Sequence, residues 1–320
     1  MKNAGRIGIG LIGMAISSYL ISNLAKEYNT SEFLATYTKI GPYTLFSCVV
    51  LYLSTFLFRA YRWKLMITGL KKTDINTITQ AVIIGFGVNN LLPMRLGEIA
   101  RAWFISKHTN LTKSAALSSV LVEKIIDAVV IILLIIISLR YLDNTSVEFA
   151  QTLYYLSGVF GLIITVIVLA TLYEKKIIDR WNNVSHKFNK SLQNIPINIL
   201  SSLVFLKSSN ILLVLLLSLF IWVIEGSIFV LILNTVFVSN PVPLGFLTLG
   251  TVNISILIPS APGYLGVFQA GVMAGLSTQN IATNAALSIA IVLHLIQYVP
   301  VTLLTILLLI NKGVNAYKHK

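Results

Sequence analysis

Six apolar stretches recur along the chain, at roughly residues 7–25, 41–63, 113–141, 149–172, 209–237 and 282–311. Each is long enough to cross about 30 Å of hydrocarbon as a helix, which takes roughly 20 residues. Two further stretches break the pattern. Residues 76–92 are apolar but stop at Pro93, and the helix-like piece that follows at 97–107 is short. Residues 243–258 stop at Pro259, and 264–276 is short again. Each pair predicts a re-entrant hairpin of two short helices with a broken middle, a backbone that survives at membrane depth only where it is buried in protein or lines a wet cavity. The expected fold is therefore an all-α polytopic membrane protein in one transmembrane domain, with six full crossings and two re-entrant hairpins.

Composition agrees with the pattern. Of 320 residues, 56% are apolar and 11% charged, and the mean hydropathy is +0.84, far outside the soluble range. Residues 7–25 show no convincing small-residue cleavage site and read as a retained first helix. The single cysteine, Cys48, excludes an intrachain disulfide or a cysteine metal cluster, and no cofactor is expected.

A net charge of +13 would suit nucleic acid, but the basic residues flank apolar spans, as in cytoplasmic loops. Segments 59–72, 101–113, 174–190 and 312–320 are basic, as is the N-terminus with Lys2 and Arg6. Linkers 142–148 and 238–242 have no Lys or Arg, and 26–40 balances two Lys with two Glu. Both termini are expected in the cytoplasm, with the chain in the cytoplasmic membrane. Membrane lipids, anionic or phosphate-bearing, are the expected partners, and nucleic acid is not. The cytoplasmic linker 174–207 carries Trp181, Phe188 and Leu192 among Lys and Asn, which fits an interfacial stretch or a plain loop.

The chain also repeats itself. "VNNLLPMRLGEIA" at 88–100 resembles "VNISILIPSAPGYLGVFQA" at 252–270, and "SAALSS" at 114–119 matches "NAALSI" at 284–289. Leu96-Gly97 and Leu265-Gly266 differ by 169 positions, and the Ala-Ala-Leu-Ser matches by 170. With the expected topology, the first hairpin enters from the cytoplasm and the second from outside, so the halves 1–141 and 149–311 are inverted with respect to each other. That architecture is common in secondary transporters, although duplication kept for packing alone gives the same pattern.

In "NNLLPMRLGEIARAWFISK", residues 89–107, Arg95, Glu98 and Arg101 follow at i, i+3, i+6 and share one broad helical face. An Arg pair flanking a carboxylate beside the freed amides of a broken helix suits a phosphate. An Arg95–Glu98 pair that only locks the hairpin is the alternative. In "SSVLVEKIIDAVVIILL", Glu123 and Asp127 lie four apart on one face and are expected to look toward Arg95 and Arg101 across a polar cavity, unless Lys124 snorkels and Glu123 pairs with a basic loop.

From Gly226 to Asn311 there is no Asp, Glu, Lys or Arg. Glu225, Gln269, His294 and Gln297 are the main intramembrane polar groups of the second half, and Gln297 corresponds to Asp127 by the repeat offset. Glu225 and His294 are proton-carrier candidates, against the commoner reading of a buried, hydrogen-bonded His. Pro93, Gly97, Pro259, Pro262, Gly263, Gly266 and Gln269 are the gate or hinge candidates.

"LLPMRLGEIARAWFISKHTNLTKSAALSSVLVEKIIDAVV" resembles the Leu-Pro-x-Arg-Leu-Gly-Glu-x-x-Arg motif, and the Glu/Asp helix that follows it, of the lysylphosphatidylglycerol synthase transmembrane-region family. "IPSAPGYLGVFQAG" resembles its second motif, usually of a Pro-Gly-Gly-Leu-Gly-x-x-Glu type. The resemblance covers most of the chain and implies a flippase-like domain. Two departures bear on function. The chain ends shortly after the last crossing, so the soluble aminoacyltransferase domain is expected to be absent and lysyl-phosphatidylglycerol not to be synthesised. Gln269 stands about where many relatives carry Glu, and Ala261-Pro262 alters the Gly-rich turn.

The expectation is thus a flippase or transporter, not an enzyme, that moves a phospholipid or lipid-linked phosphate intermediate. Arg95 and Arg101 would hold the phosphate, with the tail in the bilayer through a lateral opening. A membrane enzyme on a lipid-linked sugar or phospholipid would need a general base or metal site, for which Glu98, Glu123 and Asp127 are the only candidates. An accessory subunit without substrate is a third class. The chain has no Gly-x4-Gly-Lys-Ser/Thr phosphate loop.

Overall fold

The computed structural model describes residues 2–318 apart from 69–72, 94, 110, 143–144, 186–196, 198–199, 201–209, 237, 239 and 280. The described residues are helical nearly throughout. α1 (Lys2–Glu27) and α2 (Thr30–Thr68) precede a pair of short helices, α3 (Ile75–Leu91) and α4 (Leu96–His108), which lead into α5 (Lys113–Arg140). α6 (Val147–Leu172) and α7 (Glu174–Ser185) follow. α8 (Ile211–Thr235) then precedes a second short pair, α9 (Pro241–Ser255) and α10 (Val267–Leu276), which leads into α11 (Thr283–Lys318). α2, α6, α8 and α11 contain stretches long and apolar enough to cross a membrane.

Helix boundaries follow local chemistry. Asp74, Thr112 and Ser146 cap α3, α5 and α6 by accepting from the amides of Thr77, Ala115 and Phe149. Pro241 opens α9 at a position where no amide hydrogen is needed. Within α2, Gly41 takes φ 72°, ψ 157° and divides the segment into helices over 30–40 and 42–68. Residues 30–40, expected as part of a loop, are thus helical. α2 also runs on past the expected end at residue 63, to Thr68. Arg59 and Arg62, counted in sequence as part of a basic loop, are 2% and 0% exposed. Of the linker 174–207, residues 174–185 form α7, and Phe188 and Leu192 lie outside the described residues.

The two short pairs are antiparallel hairpins packed through glycine. A Cβ at Gly97 would sit 1.8 Å from the Gly85 carbonyl oxygen, and one at Gly275 would meet Thr248 at 2.7 Å. Their tips face each other. Along α5, Glu123 bonds Arg101 of the first hairpin, and Ile135, about three turns further, packs on Gly250 of the second. Along α11 the order reverses. His294 reaches Gln269 and Gly263 of the second hairpin, Tyr298 lies at Gly263 and Asn90 where the tips meet, and Thr305 bonds the Ile83 carbonyl in the first. α2 and α8 pack against each other through the centre, and α1 supports the second tip, where Ser17 Oγ accepts from the Ala261 amide and donates to the Leu265 carbonyl.

Candidate functional site

A cavity of about 1450 Å³, its mouth included, opens where the hairpin tips meet. α3 and α4 contribute Asn89, Asn90, Arg95 and Glu98, and the far tip contributes Asn253, Ile256 and Tyr264. α5 and α11 add Lys124, Asp127, His294 and Gln297, while Arg59 and Glu225 come from α2 and α8. Lys124 and His294, like Asp127 and Gln297, are related by the repeat offset of 170 and reach the same cavity.

Behind its wall runs a chain of buried charges. Arg59 on α2 forms a close ion pair with Glu225 on α8 and lies over the rings of Phe86 and Trp222, at 4.9 and 5.3 Å. One turn later Arg62 holds Asp127 at 2.5 and 3.2 Å and Glu123 at 3.0 Å, and donates to Ser218 Oγ at 2.7 Å. Arg101 makes a two-pronged pair with Glu123 at 2.7 and 3.1 Å and lies 3.8 Å from the Trp63 ring centroid. Trp222 Nε1 adds a hydrogen bond to Asp127 at 2.9 Å. Planar guanidinium forks suit this task, because two parallel donors match two carboxylate oxygens and aromatic faces cover the rest.

This arrangement corrects two expectations. Arg101 does not face the cavity: its fork is committed to Glu123, and the two residues are 3% and 0% exposed. Glu123 likewise turns to Arg62 and Arg101 and away from the cavity, while Asp127 reaches it. Sequence reasoning missed Arg59 and Arg62. Their signal was present: two Arg three apart near one helix end, and Ser218, Trp222 and Glu225 at helical spacing on an otherwise apolar helix.

At the tips, Arg95 takes φ 52°, ψ 40°, a left-handed conformation that costs a non-glycine residue roughly 1–2 kcal/mol. It therefore does not continue the helical face toward Glu98, and no Arg95–Glu98 ion pair forms. Its guanidinium instead crosses to the other hairpin, donates to the Ile256 carbonyl at 2.7 Å and lies 5.8 Å from the Tyr264 ring. Glu98 accepts from Asn89 Nδ2 at 3.3 Å, and its Oε2 has no hydrogen-bond partner among the described residues. Lys124, for which snorkelling was the alternative, lines the cavity with its ammonium 5.5 Å from the Phe86 ring and joins none of the ion pairs among the described residues.

The second hairpin carries a neutral polar cluster. Gln269 Oε1 accepts from the Gly266 amide at 2.9 Å, which leaves Nε2 to donate to His294 Nδ1 at 2.8 Å. His294 Nε2 must then carry the hydrogen that bonds the Gly263 carbonyl at 2.8 Å. Phe268 stacks on the ring at 4.5 Å. Both ring nitrogens are used in one tautomer, as in the commoner reading of a buried, hydrogen-bonded His, so this geometry suits a positioning task.

Gly263 and Gly266, with φ 70° and 84°, form the turn with Pro262, while Pro93 closes the first hairpin and Pro259 stands in the loop after α9. Gly97 is a close-packing position and not the expected hinge, since Gly85 and Asn89 leave no room beside it.

The family model for the lysylphosphatidylglycerol synthase TM region matches residues 10–305. Two curated relatives come from Methanocaldococcus jannaschii. UPF0104 membrane protein MJ1078 is 27% identical over 216 residues, which is 68% of this chain and 90% of that protein. UPF0104 membrane protein MJ1595 is 24% identical over 289 residues, covering 81% of this chain and 82% of that one.

Proposed function

The chain belongs to the lysylphosphatidylglycerol synthase TM region family, and from that premise we propose that it translocates a phospholipid or lipid-linked phosphate intermediate across the cytoplasmic membrane. The observation that carries this reading is the cavity at the meeting hairpin tips, where Arg95 and Lys124 present cationic groups outside the buried ion pairs. Five cations (Arg59, Arg62, Arg95, Arg101 and Lys124) line or back the cavity, against four carboxylates (Glu98, Glu123, Asp127 and Glu225). The one positive charge in excess suits an anionic phosphodiester. The phosphate site is Arg95 with Lys124, in place of the Arg95 and Arg101 read from sequence.

The transport reading also draws on the contact order. α5 meets the first hairpin and then the second, and α11 meets the second and then the first, as two inverted repeats would. Arg59 and Glu225 stand at nearly the same distance from the ends of α2 and α8 and bond each other, as equivalent residues do beside a two-fold axis. On this reading both hairpins are re-entrant, and their tips are the gates of alternating access. The strained backbone at Arg95 marks the first gate.

Reconstitution tests the reading. Proteoliposomes carrying a headgroup-labelled phosphatidylglycerol should show protein-dependent movement between leaflets, reduced by Arg95→Ala and Lys124→Ala. Equal rates with and without protein would remove it. The enzyme reading has one observation in its favour, the unpartnered Oε2 of Glu98 in the cavity wall. Product analysis separates the two, because a transporter returns its lipid unchanged.

A further inference from the structure

The cavity has a second limb that the phosphate reading does not use. Beyond Lys124 and Asp127 its wall becomes mainly apolar: Ile131, Ile132 and Ile135 from α5, Leu249 from α9, and Leu156 and Phe160 from α6, with the hydroxyl of Ser157 between them. Lys124 to Ile135 spans about 16 Å of α5 at 1.5 Å per residue, close to half of a roughly 30 Å hydrocarbon core. A charged pocket continuous with an apolar limb of that length is complementary to one kind of molecule, an amphiphile with a phosphate head and a hydrocarbon chain.

The outer wall of the limb is also the least buried of the four described helices able to cross a membrane. Leu156, Ser157 and Phe160 face the cavity, yet among the described residues α6 packs appreciably only on α5 and α7. Its most apolar stretch is 6% buried, against 39% for α8 and for α11. Tyr155, Val159, Leu162 and Val166 are exposed, and a Cβ at Gly158 or Gly161 would touch nothing within 4 Å. A helix with so few contacts costs little to displace.

We infer that the limb between α5 and α6 holds one hydrocarbon chain of the transported lipid, and that the α5–α6 seam is the lateral portal through which the chain enters from the bilayer. This rests on the translocation reading, since it assigns the tail of the same molecule whose phosphate meets Arg95 and Lys124. Neither the order of motions nor an energy source is needed for it. The seam must part only enough to admit a chain, while the charged network behind the cavity stays closed.

The test uses the full-length protein in vesicles containing phosphatidylglycerol with a photoreactive diazirine in its acyl chain, followed by peptide mapping of the adducts. Adducts on 131–135 and 156–160 that unlabelled phosphatidylglycerol competes away are the expected result. Adducts confined to Leu162, Val166 and Leu169, on exposed lipid-facing surface, would overturn the inference. Ser157→Trp should remove the limb adducts, because excluding even two methylenes lowers occupancy by about tenfold. Gly161→Trp, on the open face of α6, should keep them and serves as the folding control. Limb adducts that persist undiminished in Ser157→Trp would place the portal elsewhere and overturn it as well. Limb labelling at full strength in Arg95→Ala and Lys124→Ala would instead keep the chain subsite and remove the phosphate reading.

Discussion

Arg95, at the tip of the first hairpin, donates to the carbonyl of Ile256 at the tip of the second, 161 positions away, at 2.7 Å. Each hairpin thereby completes the other: the broken end of α9 gives up a carbonyl that its own helix cannot use, and an arginine held in a left-handed turn takes it. The contact ties the two halves together at the floor of the cavity.

Stability and binding should therefore separate at Arg95. Arg95→Ala loses the inter-hairpin bond, worth about 1.5–3 kcal/mol for a charged donor, and keeps the left-handed strain. Arg95→Gly loses the bond but relieves the strain, so its thermal midpoint should lie above that of the Ala variant. Both should lose affinity for phosphatidylglycerol in a binding assay. Full affinity in a well-folded Arg95→Gly protein would count against the phosphate site.

Arg62 is the joint of the buried network, holding Glu123, Asp127 and Ser218 at once. Arg62→Leu would leave two buried carboxylates short of a partner, and breaking such a pair costs about 3–5 kcal/mol. Replacing Arg62 and Asp127 together with apolar residues of similar size should recover part of that loss, since Glu123 keeps Arg101 as its partner and no orphaned charge remains. Detergent-solubilised melting curves check both, and a single variant as stable as the parent would show that the network contributes nothing to folding.

The architecture was legible where long apolar runs and helix breakers coincide. α3, α4, α9 and α10 lie within a few residues of the expected short helices, because Pro93, Pro259 and the glycines leave the chain few other choices. The candidate site was legible in its residues more than in its pairings. Arg95, Glu98, Asp127, Glu225 and His294 all line the cavity. Which charge pairs with which depends on helices far apart in sequence: Arg62 meets Asp127 over 65 positions and Arg59 meets Glu225 over 166. A single sequence does not encode that proximity locally. The positive φ of Arg95 redirected its side chain away from Glu98, and no rule of helical spacing foresees a left-handed arginine.

Glycine substitutions should divide by contact rather than by conformational freedom. Gly97→Ala drives a methyl into the Gly85 carbonyl and the Asn89 amide, and Gly87→Ala drives one into Thr305. Overpacking of this kind costs about 1–3 kcal/mol or more and would part α3 from α4 or α11. Gly158→Ala meets open space in α6 and should be neutral or slightly stabilising, because Ala favours a helix. Equal melting points for all three would contradict the tight hairpin packing.

Orientation is open to labelling. In a Cys48→Ala background, cysteines placed in 142–148 and 238–242 should react with an impermeant maleimide from outside, and those in 174–185 and at the C-terminus only after lysis. External reaction at the C-terminus would change the parity of the second half and remove the inverted reading of the hairpins.

Gln269 offers the sharpest test of the second tip. Its amide is bound at both ends, with Oε1 accepting from Gly266 and Nε2 donating to His294 Nδ1. Gln269→Glu keeps size and shape but replaces the donor with a carboxylate oxygen, which would face a lone pair on Nδ1. The cluster is satisfied again only if one proton is added, either on Nδ1 to face the carboxylate or on the carboxyl to donate to Nδ1, with Nε2 still bonding the Gly263 carbonyl. The single substitution would thus turn a neutral tip into one that needs a proton to stay closed. Stability of the variant should therefore depend on pH differently from that of the parent, whose ring is fully bonded while neutral, and imidazole nitrogen shifts should report the changed hydrogen bond at Nδ1. Gln269→Glu melting in parallel with the parent at every pH, with an unprotonated Nδ1, would show that the assigned hydrogen-bond directions are wrong.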